Sequence, residues 1–130
     1  MIGFDTCAII DLFKGDESLG EFIEKNKEPL AVNMINYLEL SFGLDPTHHN
    51  YGPEKIFYDE FFQSLLNFNL SAESCAKASE IFRNLKNQGK TIDQFDCVIA
   101  AVFLSNGVNK ILTRNTKHFN NIKNLRTITY

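Results

Sequence analysis

Three carboxylates in apolar stretches of the chain are the strongest candidates for chemistry. Asp5 follows a short apolar run, and Glu39 and Asp96 each have apolar neighbours on both sides. Burying an isolated carboxylate is costly, so three that recur in this setting suggest a shared cation. Oxygen ligands select Mg²⁺ or Mn²⁺ over zinc, and such an ion can activate water and stabilise charge on an attacked phosphate. The residue types therefore point to metal-assisted phosphate chemistry.

Two of these acids also have a purely structural explanation. Asp is a preferred N-cap residue, and a helix is predicted to start directly after Asp5. Asp96 falls in the first turn of a predicted helix, where the helix dipole favours a negative charge. For these two residues the structural and the ligand interpretations both stay open. Asp93 is the better candidate for the N-cap of the helix that carries Asp96.

Glu39 separates the two interpretations, because it lies in the middle of a predicted helix, where capping cannot explain it. Ile35, Leu38 and Phe42 mark the apolar face of that helix, and Glu39 falls on the same face. A lone charge there would be expelled or neutralised by a shifted pKa, unless it paired with a buried Lys or Arg. The basic residues mostly lie in polar stretches, so the ligand interpretation of Glu39 is favoured.

The elements that must position these acids alternate between short strands and helices. Strands are predicted at residues 2–4, 30–33, 68–70, 110–113 and 127–129, and helices at 6–13, 18–27, 35–44, 53–67, 72–86 and 94–105. Such alternation implies parallel pairing through right-handed crossovers, and hence an α/β class, a three-layer α/β/α sandwich. Ligands of open α/β sheets bind beyond the carboxyl ends of the strands, where Asp5 and Asn115 fall.

Length and composition exclude several classes of protein. The 130 residues fit one domain, with boundaries 1–130. No apolar stretch approaches the roughly 20 residues needed to cross a bilayer, and no signal peptide is visible. Cys7, Cys75 and Cys97 are odd in number and widely spaced, which argues against a disulfide framework or a zinc site. We therefore expect a cytoplasmic protein without membrane attachment.

The charge is distributed unevenly along the chain. Residues 107–130 contain five of the 13 basic residues and none of the 16 acidic ones. A basic C-terminal face could meet a polyanion such as nucleic acid, although solvated surface side chains are the simpler explanation.

Two other groups are assigned structural roles. Asp11 should point away from Asp5 on the first helix and be solvated, because successive helical residues are about 100° apart. Phe57 and Phe61 belong to an aromatic-rich segment that could stack on bases. Their helical spacing instead favours burial in the core or in a dimer interface.

The order of these residues resembles that of PIN-domain ribonucleases, and more narrowly of VapC-type toxins from toxin–antitoxin pairs. Asp5-Thr6 before an apolar helix resembles the family's strand-end Asp-Thr. Glu39 matches its mid-helix glutamate, and Asp96 matches its Asp before an Ile-Ala-Ala helix. Thr113-Arg114-Asn115 followed by Phe119 resembles its late Thr-x-Asp/Asn…Phe element.

This resemblance implies a parallel sheet with strand order 3-2-1-4-5 and an acidic pocket that holds Mg²⁺ or Mn²⁺. It implies homodimers, endonucleolytic cleavage of RNA and inhibition by a small antitoxin protein. The implied metal ligands are Asp5, Glu39 and Asp96, with Asn115 as a fourth catalytic position and with Thr6 and Thr113 as supporting hydroxyls.

Two positions depart from the family pattern. Many members have Asp where this chain has Asn115, and the neutral amide argues against a tightly held second metal. An acidic residue often precedes the Phe, whereas here it is His118, which could donate to phosphate or simply be a partly exposed histidine. Arg114 and Lys117, close to Asn115 in sequence, are candidates to hold the RNA backbone.

The leading prediction is a metal-dependent endoribonuclease, and two alternatives remain. A PIN-like module that binds RNA or protein without cutting is supported only by Asn115. A phosphatase or phosphoacceptor domain also places an Asp after its first strand. That class is disfavoured, because Cys7 and Asn33 stand where it needs further acids.

Overall fold

A computed structural model describes the chain from Met1 to Tyr130. It contains five strands and seven helices, which alternate along most of the sequence. In chain order they are β1 (Ile2–Phe4), α1 (Thr6–Phe13), α2 (Glu17–Lys25), β2 (Leu30–Asn33), α3 (Met34–Gly43), α4 (Tyr51–Ser64), β3 (Leu66–Phe68), α5 (Ala72–Asn87), α6 (Gln94–Ser105), β4 (Lys110–Leu112), α7 (Thr116–Phe119) and β5 (Arg126–Ile128).

All five strands pair in parallel, in the order β3-β2-β1-β4-β5. The predicted α/β class and strand order are therefore confirmed. β1 lies in the centre, where Gly3 is paired with Ala31 on one side and Ile111 on the other. A Cβ atom on Gly3 would approach the ring of Phe103 to 2.6 Å. The absence of a side chain at this position lets α6 pack close to the sheet.

The helices form two layers, because the strand side chains alternate between the two faces of the sheet. Ile9 and Tyr58 from α1 and α4 pack on the face that carries Phe4. Ile81 and Ile99 from α5 and α6 pack on the opposite face. Both layers are apolar on the inside, as a parallel sheet that is covered on both faces requires.

Three elements, β3, α4 and α7, differ most from the sequence prediction. β3 occupies Leu66–Phe68 instead of residues 68–70, and α4 accordingly ends at Ser64 instead of residue 67. Register explains the shift, because Ala31 and Asn33 of β2 pair with Leu66 and Phe68. Helix α7 was not predicted, since its single turn of four residues gives no periodic signal.

The predicted buried face of α3 is wrong for two of its three residues. Leu38 is 38% exposed and Phe42 is 70% exposed. The buried residues of the helix are Asn36 and Leu40, about 200° around the helix from Leu38 and Phe42 respectively. Glu39 therefore lies on the border between the buried side and an exposed apolar side. Spacing identified a shared face correctly but did not reveal that the rest of the chain leaves this face uncovered.

No helix is both long enough and apolar enough to span a membrane.

Candidate active site

The residues proposed for chemistry gather at the carboxyl edge of the sheet. Asp5 directly follows β1, and Thr113 directly follows the neighbouring strand β4. The backbone N–H of Asp5 donates to the carbonyl oxygen of Leu112 at 3.0 Å, which fixes the two strand ends side by side. α3 starts at the end of β2 on the other side of β1, so Glu39 approaches the same edge.

Asp5 is buried, and both of its carboxylate oxygens accept hydrogen bonds. Oδ1 accepts from the backbone N–H of Thr6 at 2.7 Å, which makes Asp5 the N-cap of α1. Oδ2 accepts from the Thr113 hydroxyl at 2.7 Å and from the Cys7 thiol at 3.0 Å. The structural interpretation of Asp5 thus holds, but it does not exclude a ligand role, since a carboxylate offers about four lone-pair positions.

The Cys7 thiol is a donor at this site and not a nucleophile. Burial, followed by the neighbouring charge of Asp5, raises the pKa of Cys7 to about 11. The sulfur therefore keeps its proton near neutral pH and can share it with the carboxylate.

Glu39 is half-buried and has no cationic partner. Its Oε1 accepts from the Thr6 hydroxyl at 2.8 Å. No Lys, Arg or His lies within ion-pair distance of its carboxylate. Burial raises the pKa of Glu39 above its ordinary value, with further increases from the charges of Asp96, Asp5 and Asp93, and the bond from Thr6 opposes this. The salt-bridge explanation of Glu39 is therefore wrong.

Asp96 lies in the first turn of α6, and its side chain is 10% exposed. Its Oδ2 is 2.8 Å from Nδ1 of His118, whose own side chain is 52% exposed. Burial and then the charge of Asp5 raise the pKa of Asp96, while the contact with His118 lowers it. Asp93 caps the helix instead, by accepting from the backbone N–H of Phe95 at 2.9 Å.

Asp5, Glu39 and Asp96 thus share one electrostatic environment, because the charge of Asp5 raises the pKa of both other acids and the charge of Asp96 also raises the pKa of Glu39. No group of three or more Asp, Glu, His or Cys side chains is arranged so that it could hold a metal ion by itself. Mg²⁺ does not need such a group, since it is commonly bound by one or two carboxylates and several waters. The donor set of carboxylate oxygens, with few compensating cations, fits such an ion.

Thr113 and Asn115 lie on the loop after β4. The Thr113 hydroxyl donates to Asp5 and accepts from the backbone N–H of Asn115 at 2.9 Å. Asn115 is half-buried and precedes α7, but its side chain does not cap that helix. Its backbone N–H is therefore one hydrogen bond away from the hydroxyl that contacts Asp5, and its side-chain amide is not used to cap the helix.

Asp11 is not solvated, contrary to the sequence prediction. It is 5% exposed, and its Oδ1 accepts from Nη1 of Arg114 at 2.8 Å. Its Oδ2 accepts from the Tyr130 hydroxyl. The helix angle correctly turned Asp11 away from Asp5, but partners 103 and 119 residues later in the chain cover it.

The two candidate RNA-backbone residues differ in how free they are. The side chain of Arg114 is 55% exposed, although Asp11 holds one of its nitrogens. Lys117 is exposed and forms no ion pair. Both lie on the loop and helix that carry Asn115, at the edge of the acidic site.

The sequence prediction missed two residues, Asn33 and Asn36, both of which are fully buried. They form a capping box at the start of α3, and Nδ2 of Asn36 donates to the Thr6 hydroxyl at 3.1 Å. A signal was present, because polar residues three apart before an apolar helix are typical of a capping box. Its link to Thr6 is not visible in the sequence.

The model of the PIN domain family matches residues 2–125. No curated protein is similar in sequence at a significant level.

Solved structures share the fold over nearly the whole chain. VapBC2 from Rickettsia felis, bound to a DNA fragment from its promoter, is 24% identical, with a TM-score of 0.86 and coverage of 100% of this chain and 99% of that one. VapBC-1 from nontypeable Haemophilus influenzae is 26% identical, with a TM-score of 0.83 and coverage of 99% and 98%. Mycobacterium tuberculosis VapC20, a sarcin-ricin loop cleaving toxin, is 13% identical, with a TM-score of 0.68 and coverage of 97% and 99%.

Proposed function

Because the chain belongs to the PIN domain family, we propose that it is a Mg²⁺- or Mn²⁺-dependent endoribonuclease and the toxin component of a toxin–antitoxin pair. One observation carries the proposal. Glu39 and Asp96 are held near Asp5 with raised pKa values, and no Lys or Arg pairs with any of these three acids. This arrangement is unfavourable for the chain alone and favourable with a bound cation.

In the proposed mechanism, Asp5, Glu39 and Asp96 would hold the ion, directly or through its bound waters. When bound, it would supply Lewis acidity to the phosphate and lower the pKa of a water molecule. Thr6 holds one oxygen of Glu39, and Thr113 holds one oxygen of Asp5, so that the carboxylates are oriented before an ion arrives.

Three residues at the edge of the acids would meet the substrate. The Asn115 amide can donate to a phosphate oxygen or orient a water. Arg114 and Lys117 provide positive charge for the RNA backbone, and such contacts position nucleic acid without reading its sequence. Their location in residues 107–130, which lack acids, supports a polyanionic substrate.

Protein partners are supported by an uncovered apolar surface beside the site. Met34, Leu38 and Phe42 are exposed along α3, and the ring of Phe42 lies 6.0 Å from that of Phe95. Exposed apolar patches are typical of protein–protein contacts. We propose that this surface contacts a second copy of the chain in a homodimer, or the antitoxin. Sedimentation of the purified chain tests the homodimer, and a monomer at every concentration would contradict it.

We also propose that residues 1–130 form a single domain and that the chain acts in the cytoplasm, where RNA and a small antitoxin would be accessible.

The test is RNA cleavage in Mg²⁺ or Mn²⁺ by the wild type and by Asp96→Asn. We expect Asp96→Asn to lose more than about 100-fold in rate, since even outer-shell partners of a metal contribute 10- to 100-fold. Asp93→Asn is the matched control, because it removes a carboxylate from the same helix start and keeps a good N-cap. It should stay within about threefold of wild type, since a cap contributes mainly to helix stability. Equal cleavage by the wild type and Asp96→Asn would rule out the assignment.

A second function, binding of RNA or protein without cleavage, is favoured only by the neutral Asn115. Tight RNA binding, with no cleavage under any divalent ion, would support that function over the nuclease.

A further inference from the structure

Two buried asparagines connect the three acid-bearing elements. Asn33 ends β2, and Asn36 lies in the first turn of α3, with neither side chain exposed to solvent. Buried amides are unfavourable unless they form hydrogen bonds, so their partners indicate what they are doing there.

Asn33 has a defined amide orientation. Its Oδ1 accepts from the backbone N–H groups of Ile35 at 3.0 Å and Asn36 at 3.2 Å. Its Nδ2 donates to the backbone carbonyl of Ile99 at 3.3 Å. A backbone N–H can only donate and a carbonyl can only accept, so the amide cannot be flipped.

The same reasoning fixes Asn36. Its Oδ1 accepts from the backbone N–H of Asn33 at 3.0 Å, which leaves Nδ2 to face the Thr6 hydroxyl at 3.1 Å. An amide nitrogen has no acceptor capacity, so Asn36 donates and Thr6 accepts.

Thr6 has one hydroxyl proton, and because its oxygen already accepts from Asn36, this proton is available for Glu39. The Glu39 carboxylate lies 2.8 Å away. When it is ionised it has no proton to donate, so it can only accept. The chain of hydrogen bonds therefore runs from Asn36 to Thr6 to Glu39, and each bond polarises the next. Without Asn36, only the bond to Glu39 would orient the Thr6 hydroxyl.

The network also touches each element close to its acid. Thr6 adjoins Asp5 on α1, Asn36 precedes Glu39 by about one turn of α3, and Ile99 follows Asp96 by about one turn of α6. A single buried cluster thus fixes the three helices relative to one another at the height of the carboxylates.

We propose that Asn36 is a positioning residue that acts through the Thr6 hydroxyl to hold Glu39 in place for the divalent ion. This inference rests on the proposed function for its ion. Asn36 itself touches neither the ion nor the substrate.

The variants for the test are Asn36→Ser, Thr6→Val and the double variant. In α5 of this chain, Ser71 and Ser74 form a capping box of the same kind, with the Ser74 hydroxyl accepting from the Ser71 N–H at 2.7 Å. Serine at position 36 should therefore keep the helix capped while being too short to reach Thr6. Ser74→Ala is the matched control, since it breaks a capping box that has no link to the acids.

The probe is Mn²⁺ alone, titrated calorimetrically without RNA. We expect Thr6→Val to weaken Mn²⁺ binding about tenfold, the lower end of the range for outer-shell groups. Asn36→Ser should cause a similar loss, and the double variant should lose no more than Thr6→Val, because the two residues act in series. Ser74→Ala should bind as the wild type does. Wild-type affinity in Asn36→Ser, or losses that multiply in the double variant, would overturn the inference.

A metal-free measurement separates this inference from the proposed function. The ¹³C chemical shift of the Glu39 carboxyl should change in Asn36→Ser in the same direction as in Thr6→Val, and should not change in Ser74→Ala. A wild type that binds no Mn²⁺ would count against the proposed nuclease, while the carboxyl shift would still report on Asn36. An unchanged Glu39 shift in Asn36→Ser would overturn the positioning role.

Discussion

One glutamate lies at each end of the sheet, and the pKa values of the two are shifted in opposite directions. At the amino end, Glu28 accepts from Nζ of Lys110 at 2.7 and 2.8 Å and from the amino group of Met1 at 3.0 Å. The bond from Lys110, followed by that from the amino group, lowers the pKa of Glu28. At the carboxyl end, Glu39 has a hydroxyl donor and acidic neighbours, and its pKa is raised.

The difference shows which acidic side chains are neutralised by cations of the chain itself. Glu28 is matched by cations from the chain itself, as in an ordinary surface salt bridge. Glu39 and Asp96 are oriented by hydrogen bonds, but no Lys or Arg neutralises them. An edge that is organised but left anionic is suited to a cation from solution, which is the physical basis of the proposed nuclease.

The largest expected effect concerns RNA cleavage by two matched variants. Glu39→Gln should lose more than about 100-fold in rate, because it removes a proposed metal ligand and not merely an outer-shell partner. Glu28→Gln makes the same chemical change at the other end of the sheet and should cleave RNA within about twofold of wild type, since an exposed ion pair contributes little. Initial rates in Mn²⁺ measure both. Comparable losses in the two variants would erase the distinction between the two ends.

A smaller effect concerns the stability of the metal-free protein. The folded-state pKa of Glu39 is raised, so ionising this residue costs more in the folded state, and stability falls as the pH rises through that pKa. Glu39→Gln should therefore melt above wild type near neutral pH, by at most about 4 °C. The difference should disappear below about pH 4, where the carboxyl is protonated in both states. Thermal melts in chelator measure it, and a lower melting temperature near neutral pH would contradict the account.

The smallest expected effect is on the melting temperature of Glu28→Gln, and its sign is opposite to that for Glu39→Gln. The folded-state pKa of Glu28 is lowered, so its contribution to stability is present above the ordinary carboxyl pKa and is lost as the pH falls through the lowered value. Glu28→Gln should melt slightly below wild type near neutral pH and converge with it in acid. High salt should shrink the difference, because exposed pairs are screened. A Glu28→Gln protein that melts above wild type near neutral pH would contradict the stabilising role of the Glu28 ion pairs.

Much of the fold was predictable because local signals agreed with tertiary packing. The bounds of β1, β2, α1 and α6 were predicted correctly, since apolar runs there end at turn residues such as Gly107, whose φ is 75°. β3 was misplaced because only its register with β2 determines where helix α4 stops. Helix periodicity alone continued through Leu65 and Leu66.

The candidate site was predictable in residue type but not in its contacts. Asp5, Glu39 and Asp96 were recognised because charged residues are unusual in apolar runs. The partners of Asp11 could not be inferred, since Arg114 and Tyr130 come from the other end of the chain. Spacing within one helix also says nothing about which face the neighbouring helices will cover, which explains the exposed side of α3.

The most direct test of the shared cation site is anomalous diffraction from crystals of the protein grown with Mn²⁺. We predict a manganese peak at the carboxyl edge of the sheet, among Asp5, Glu39 and Asp96, with the ion bound to their carboxylate oxygens directly or through water. Crystals that show no peak there at saturating Mn²⁺, or show one only at unrelated surface acids, would contradict it.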